Sequence, residues 1–170
     1  AIALVDEGII DETEAAARLA DLDEAALDET VFAGEADAPL AIGLGASPGV
    51  AVGRLACSSQ EAERLAASGE PVVLVRQDTS TSDIDGFSAS AAIVTASGGR
   101  TSHAALVARQ MGRPCVVACT ALRFRDDGGI EASGTVVAEG DLLSVDGDRG
   151  LVFAGGRDIA TRRPDAELAV

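Results

Sequence analysis

Between residues 71 and 119 the chain alternates unbroken apolar runs with polar stretches rich in Ser, Thr, Asp and Gly. Pro71-Val-Val-Leu-Val75, Ala91-Ala-Ile-Val94 and Pro114-Cys-Val-Val-Ala118 carry no polar position, the pattern of strands covered on both faces. Between the last two runs the period changes. Ala104, Val107, Ala108 and Met111 recur at i, i+3, i+4 and i+7, one face of a helix, with Thr101 or Ser102 as its N-cap. Gly112 followed by Arg113-Pro114 stops it. Upstream, Val50 to Cys57 reads as a strand with Val50, Val52 and Leu55 inward. Ser58-Ser-Gln-Glu61 then reads as a capping box opening a helix to about Ala67, ended by Ser68-Gly69. Residues 76–86 read as a polar loop and a short helix capped by Ser80 or Ser82.

The flanks are less regular. Residues 1–38 read as short helices, one from Glu12 to Leu19 capped by Asp11 and another around Ala25-Ala-Leu27, leading into a linker ending at Pro39. The opening lies within a helical pattern and lacks an initiator Met, which predicts a piece excised from a longer polypeptide. Downstream, residues 124–134 read as a polar, glycine-containing excursion. Thr135-Val-Val-Ala, Leu142-Leu-Ser-Val and Leu151-Val-Phe then read as short strands joined by hairpin turns. Residues 157–170 read as a charged tail without a stable pattern. The organisation predicted is a helical linker over 1–38, a compact domain over 39–156 and a C-terminal tail over 157–170. The fold class is α/β with a β-rich core.

Composition narrows the function classes. With no Trp, no Tyr and four Phe, the core must be packed from Val, Leu, Ile and Ala. No run approaches the eighteen or so apolar residues of a membrane helix, and no basic, apolar leader opens the chain. Net charge is −15, from 28 acidic and 13 basic residues, which disfavours nucleic acid and anionic membrane as partners. Cys57, Cys115 and Cys119 lack CxxC spacing, and with one histidine in the chain they make a poor zinc set. All three read as small buried hydrophobes in a reducing cytoplasm, and no metal site is expected.

Two glycine-bearing stretches resemble ligand loops and fail on inspection. Gly43-Leu-Gly-Ala-Ser-Pro-Gly49 has the wrong spacing for a dinucleotide loop, no preceding strand, and Pro48 where a helix would begin. Asp146-Gly-Asp lacks the later ligands of a calcium loop.

Residues 95–119 concentrate the chemistry. An apolar strand ends in Ala96-Ser97-Gly98-Gly99, and the only histidine, His103, opens the following helix. A helix N-terminus offers unpaired N–H groups and a partial positive charge, Gly98 and Gly99 let backbone approach an anion, and Arg100 adds a planar cation. A neutral imidazole in such a place is a nucleophile within an anion site.

The stretch Gly-Gly-Arg-Thr-Ser-His-Ala-Ala-Leu-Val-Ala-Arg, followed by Gly-Arg-Pro-Cys-Val-Val, resembles the phosphohistidine signature of the phosphoenolpyruvate-utilising enzymes. The resemblance covers about residues 40–155. It implies a swivelling β/β/α domain in which His103 carries a phosphoryl group, with Gly98, Gly99, Arg100, Thr101 and Ser102 around the phosphate. It also places Arg76, Asp78 and Thr79 close to the histidine turn and makes Thr101 a candidate for regulatory phosphorylation.

Within the family, Glu-Gly-Ile-Ile-x-x-x-Glu-Ala at the start, Asp78-Thr-Ser-Thr-Ser-Asp-Ile84 and Pro-Cys-Val-Val-x-Cys look most like the pyruvate phosphate dikinases. Arg100 and Gly45 depart from that pattern, and Arg100 is typical of the phosphoenolpyruvate synthases and of enzyme I. The implied partners are a nucleotide-binding domain and a pyruvate- or phosphoenolpyruvate-binding domain, which would hold ATP and magnesium. The chain itself would bind no cofactor and would not turn over alone. A phosphometabolite-binding module and a structural interaction domain are the other readings.

Overall fold

The computed structural model describes residues 29–34 and 37–162. The chain divides into two compact units, Ala1–Glu29 with Thr161–Val170, and Thr30–Ala160. The helices expected before residue 29 lie outside the described residues. Within the rest of that stretch, β1 (Glu29–Phe32) is a strand, and it pairs with β13 (Ile159–Arg162), inside what reads in sequence as an unpatterned tail.

The centre of the fold is an eight-stranded sheet. In chain order its members are β2 (Ala41–Ile42), β3 (Leu44–Ser47), β4 (Val50–Ala56), β5 (Val72–Arg76), β6 (Ala92–Thr95), β7 (Cys115–Val117), β11 (Leu142–Asp146) and β12 (Leu151–Ala154). Their spatial order is β2-β12-β11-β4-β5-β6-β7-β3. β4 to β7 run parallel, and the other pairs are antiparallel. The two outermost strands are consecutive in sequence, separated only by Gly43, so the segment 41–47 pairs with β12 at one end and β7 at the other. The sheet closes on itself through that segment and leaves little edge exposed.

Closure explains the glycines. A Cβ on Gly43 would lie 2.4 Å from the Val117 carbonyl oxygen, and one on Gly45 2.3 Å from that of Gly147. At Gly147 itself a Cβ would sit 2.0 Å from the Ser47 carbonyl oxygen. Backbones cross at these points too closely for any side chain. Asp146 shapes the turn there, its Oδ1 accepting from the Asp148 and Arg149 N–H groups, while Asp148 accepts from Gly49 N–H at 2.8 Å.

Period-2 alternation along the parallel strands then makes two cores. Val73, Val75, Val94 and Val116 face a second sheet, built from β8 (Arg123–Phe124), β9 (Ile130–Ala132) and β10 (Thr135–Val137), which adds Ile130, Ala132 and Val137. Val72, Leu74, Ile93, Cys115 and Val117 face the helices. These are α1 (Ser59–Ala67), α2 (Ile84–Ala89) and α3 (His103–Met111). The layering is β/β/α. Val72 to Val75 are all fully buried, each worth about 1.5–3 kcal/mol of transfer free energy.

Four expectations change. Residues 124–134 are no excursion, since β9 lies within them. The register of β4 puts Ala51 and Leu55 in the core and leaves Val50 and Val52 half-buried. Ser58 caps α1 by accepting from Glu61 N–H at 3.2 Å, but the Glu61 carboxylate turns to Arg64, so the capping box is half made. Cys57 is half-buried, unlike Cys115 and Cys119. Burial, first among the causes, pushes the Cys57 thiol up to about 11 and the other two up to about 12, so all three stay protonated.

Substituting Gly147→Ala is expected to cost at least about 1–3 kcal/mol of folding free energy, because the clash is with backbone that cannot rotate away. Gly99→Ala, where nothing lies within 4 Å of the added carbon, should stay within about 0.5 kcal/mol. Urea unfolding of the two variants measures the difference.

Candidate functional site

All three helices start at the carboxyl edge of the parallel strands. α1 follows β4, α2 follows β5 and α3 follows β6. Crevices at this edge of a parallel sheet are where such folds place ligands, because helix N-termini gather there.

The turn before α3 is tied down on both sides. Ala96 and Ser97 donate to the carbonyls of Arg76 and Gln77, each at 3.0 Å, which fastens the turn to the end of β5. On the other side Cys119 N–H donates to Thr95 at 3.0 Å and Ala118 N–H to Ser97 at 3.3 Å. The Thr95 hydroxyl adds a bond to the Ser97 carbonyl at 2.7 Å.

Gly98 then turns the chain with φ +88°, where a Cβ would press on the Ser102 side chain at 3.1 Å. Gly98 is therefore required by the turn, whereas Gly99 has open space beside it. Ser102, of the two candidates, is the N-cap: its Oγ accepts from Ala105 N–H at 3.4 Å, and its own N–H is engaged by the Gly99 carbonyl at 2.9 Å. The N–H groups of His103 and Ala104 donate to no backbone carbonyl among the described residues, and they remain available to an anion. Thr101 is exposed beside them. Gly112 ends the helix in the left-handed conformation.

His103 is half-buried. Its ring lies 6.0 Å from that of Phe87, centroid to centroid and tilted 47°, and its Nε2 is covered without a hydrogen-bond partner. Phe87 comes from α2 and is fully buried.

The cations around α3 are anchored by carbonyls. Arg100 Nε donates to the Gly45 carbonyl at 3.1 Å and Arg109 Nε to that of Ala46 at 2.8 Å, both on β3, and Arg109 Nη2 also reaches the Arg100 carbonyl. Neither guanidinium meets a carboxylate among the described residues. From Gly86 to Arg125 the chain has no Asp or Glu and five Arg, against a net charge of −15 for the whole. Of these five, Arg100 and Arg109 lie beside α3, and the charge of Arg100 next to the helix start favours an anion there.

Of the three residues expected near the turn, Arg76 is the most constrained. Its Nη1 donates to the Cys57 carbonyl at 3.0 Å and its Nη2 pairs with Asp83 at 3.5 Å, while Nε is covered and unpartnered. Asp78 accepts from Thr79 N–H at 2.8 Å within its own loop, and neither residue contacts His103 by a hydrogen bond.

Asp83 had no assigned role in the sequence. It is buried, accepting from the Ser59 hydroxyl at 2.9 Å and from Ser80 N–H at 2.9 Å. Its signal was legible as the capping box Ser80-x-x-Asp83, which opens the 3₁₀ turn at Thr81–Asp83. Phe87 gave no comparable signal, since nothing in a sequence tells a core phenylalanine from one packed beside the imidazole.

Residues 68–150 match the family described as PEP-utilising enzyme, mobile domain. Over residues 68–150 the chain belongs to the mobile-domain family of the PEP-utilising enzymes. It is 40% identical over 166 residues to the pyruvate, phosphate dikinase of Clostridium symbiosum, covering 94% of this chain and 18% of that enzyme. Against the chloroplastic pyruvate, phosphate dikinase of Flaveria trinervia identity is 41% over 177 aligned positions, covering 100% of this chain and 18% of that enzyme. The chain therefore spans about a fifth of the length of the dikinases it matches. A solution structure of an Enzyme I protein overlaps it with a TM-score of 0.36 at 32% identity, over 49% of this chain and 30% of that one. No helix among the described residues is long and apolar enough to cross a membrane.

The mobile domain's buried carboxylate makes a pH-dependent contribution. Burial alone would raise the Asp83 pKa, but the Ser80 N–H, the Ser59 hydroxyl and the Arg76 guanidinium outweigh it and hold the carboxyl below its ordinary 3.8. A depressed folded-state pKa gives stability that is complete above the unfolded value and lost as pH falls through the folded one. Asp83→Asn should therefore lose about 1–3 kcal/mol at neutral pH. The gap to the parent protein should close as pH drops below 3.8. Denaturant unfolding across pH measures both.

Proposed function

We propose that His103 is a phosphoryl carrier, relaying the group between an ATP site and a pyruvate or phosphoenolpyruvate site on other domains of the same polypeptide or complex. The observation that carries this reading is the placement of the only imidazole at the first residue of α3, beside unpaired N–H groups and in the acid-free, arginine-bearing stretch of an acidic chain. The membership in the mobile-domain family and the likeness to pyruvate, phosphate dikinases support the donor and acceptor classes.

In this reading one imidazole nitrogen attacks the phosphorus of the donor with its lone pair. The bond from phosphorus to the leaving oxygen breaks and takes its electron pair with it, while the other ring nitrogen keeps its proton. The resulting N–P bond places a dianionic group at the helix start, where the N–H groups of His103 and Ala104 and the Arg100 guanidinium offset its charge. Thr101 and Ser102 stand beside it, Ser102 holding the first turn. Delivery reverses the step at the second site. Magnesium and nucleotide act on the partner domains, and this chain supplies the nucleophile and the cradle. A cytoplasmic setting suits protonated thiols and these substrates.

Thr101, exposed at the same helix start, is the position where a regulatory phosphate would act. A second dianion there would compete for the same N–H groups and repel the one on His103.

Incubation with the ATP-side domain of a dikinase, Mg²⁺ and ATP should add one phosphate by intact mass, lost on acid treatment. His103→Ala should take none. Absence of phosphate on the parent chain, with the donor domain active on its own substrate chain, would favour a phosphometabolite-binding module.

A further inference from the structure

We infer that Phe87 is a positioning residue for His103, holding the imidazole with Nε2 turned into the protein so that the ring must swing outward before that nitrogen reacts. The inference rests on the phosphoryl-carrier reading for its consequence, though its geometry stands alone.

His103 is the first residue of α3, so no preceding helical turn covers its side chain. The Phe87 ring packs beside it, 6.0 Å away at 47°. Nε2 is the ring nitrogen farther from the main chain, the one best placed to meet a phosphorus atom carried by another domain. In this structure that nitrogen has neither solvent nor a hydrogen-bond partner. A polar atom left so is only weakly held, because turning outward would restore its hydration. Two ring positions of similar free energy are the consequence, and the inward one keeps the unloaded nucleophile from small phosphoryl donors and other electrophiles.

Phe87 cannot yield in place of the histidine. It is fully buried on α2, among Ala62, Leu74 and Ala104 in the helix-side core. Gly86 beside it abuts Ser59, where a Cβ would meet Oγ at 2.6 Å, and Ser90 Oγ closes the helix end on the Gly86 carbonyl at 2.6 Å. The residue preceding α2 is Asp83, clamped by Arg76, Ser59 and Ser80. Arg76 thus acts on the site through Asp83 and the placement of α2.

A chain with one histidine permits a direct test. Diethyl pyrocarbonate transfers an ethoxycarbonyl group to a neutral imidazole nitrogen and releases ethyl carbonate, and heteronuclear NMR of the single labelled ring reports which nitrogen carries it. The Nε2 adduct should form about tenfold or more slowly in the full chain than in N-acetylhistidine. Phe87→Ala should recover most of that loss. Phe87→Leu, which keeps apolar volume in the core, should recover part of it while retaining a cooperative thermal transition. Parent protein reacting at Nε2 as fast as N-acetylhistidine would overturn the inference even if neither variant folded. So would a folded variant that kept the parent rate. Potassium phosphoramidate run in parallel separates the two ideas. If it leaves His103 unphosphorylated in every chain while the carbethoxylation order holds, the carrier reading fails and the placement by Phe87 stands.

Discussion

The structure depends on one short segment, residues 41–47, which hydrogen-bonds to β12 at one end and to β7 at the other. That double pairing closes the sheet, and it requires backbone contacts that only glycine permits at positions 43, 45 and 147. The consequence reaches the functional site. Once β3 lies against β7, the carbonyls of Gly45 and Ala46 point to α3 and hold Arg100 and Arg109. Those two bonds fix the flank of the helix that His103 begins. A glycine-rich stretch that could be mistaken for a phosphate loop is therefore a seam, and its carbonyls hold the arginines beside α3.

The site uses charge by exclusion as much as by attraction. The protein is strongly acidic, yet forty residues spanning α3 hold no carboxylate. Around the start of α3, Arg100 and Arg109 are tied to carbonyls, and the His103 and Ala104 N–H groups donate to no backbone carbonyl among the described residues. Solubility is served elsewhere on the surface. The negative charge of the chain thus lies outside the stretch from Gly86 to Arg125.

A second support comes from α2. The buried carboxylate of Asp83 ties the end of β5, the start of α1 and the start of α2 together. Such a cluster, once its partners are complete, holds neighbouring elements in one arrangement. The helix it holds, α2, also carries Phe87, whose ring packs beside that of His103.

Much of this was legible in the sequence. Apolar runs at 71–75, 91–94 and 114–118 located the parallel strands, and the i, i+3, i+4, i+7 pattern with Gly112 located α3, because strand burial and helical period act over a few residues. The imidazole at the start of a helix and the glycine turn before it were legible for the same reason, lying within one contiguous stretch. The register of β4, the strand at Ile130–Ala132 and the β1–β13 pair were not, since each rests on partners many residues away that local propensity does not reveal. Sequence by itself determined the parallel strands and α3, the acid-free stretch and the imidazole at a helix start. Only the tertiary structure decided that Gly43, Gly45 and Gly147 form a closure, that Arg76 turns to Asp83, and that the Phe87 ring packs beside a His103 whose Nε2 is buried, because close backbone crossings and buried contacts exist only after distant segments have packed.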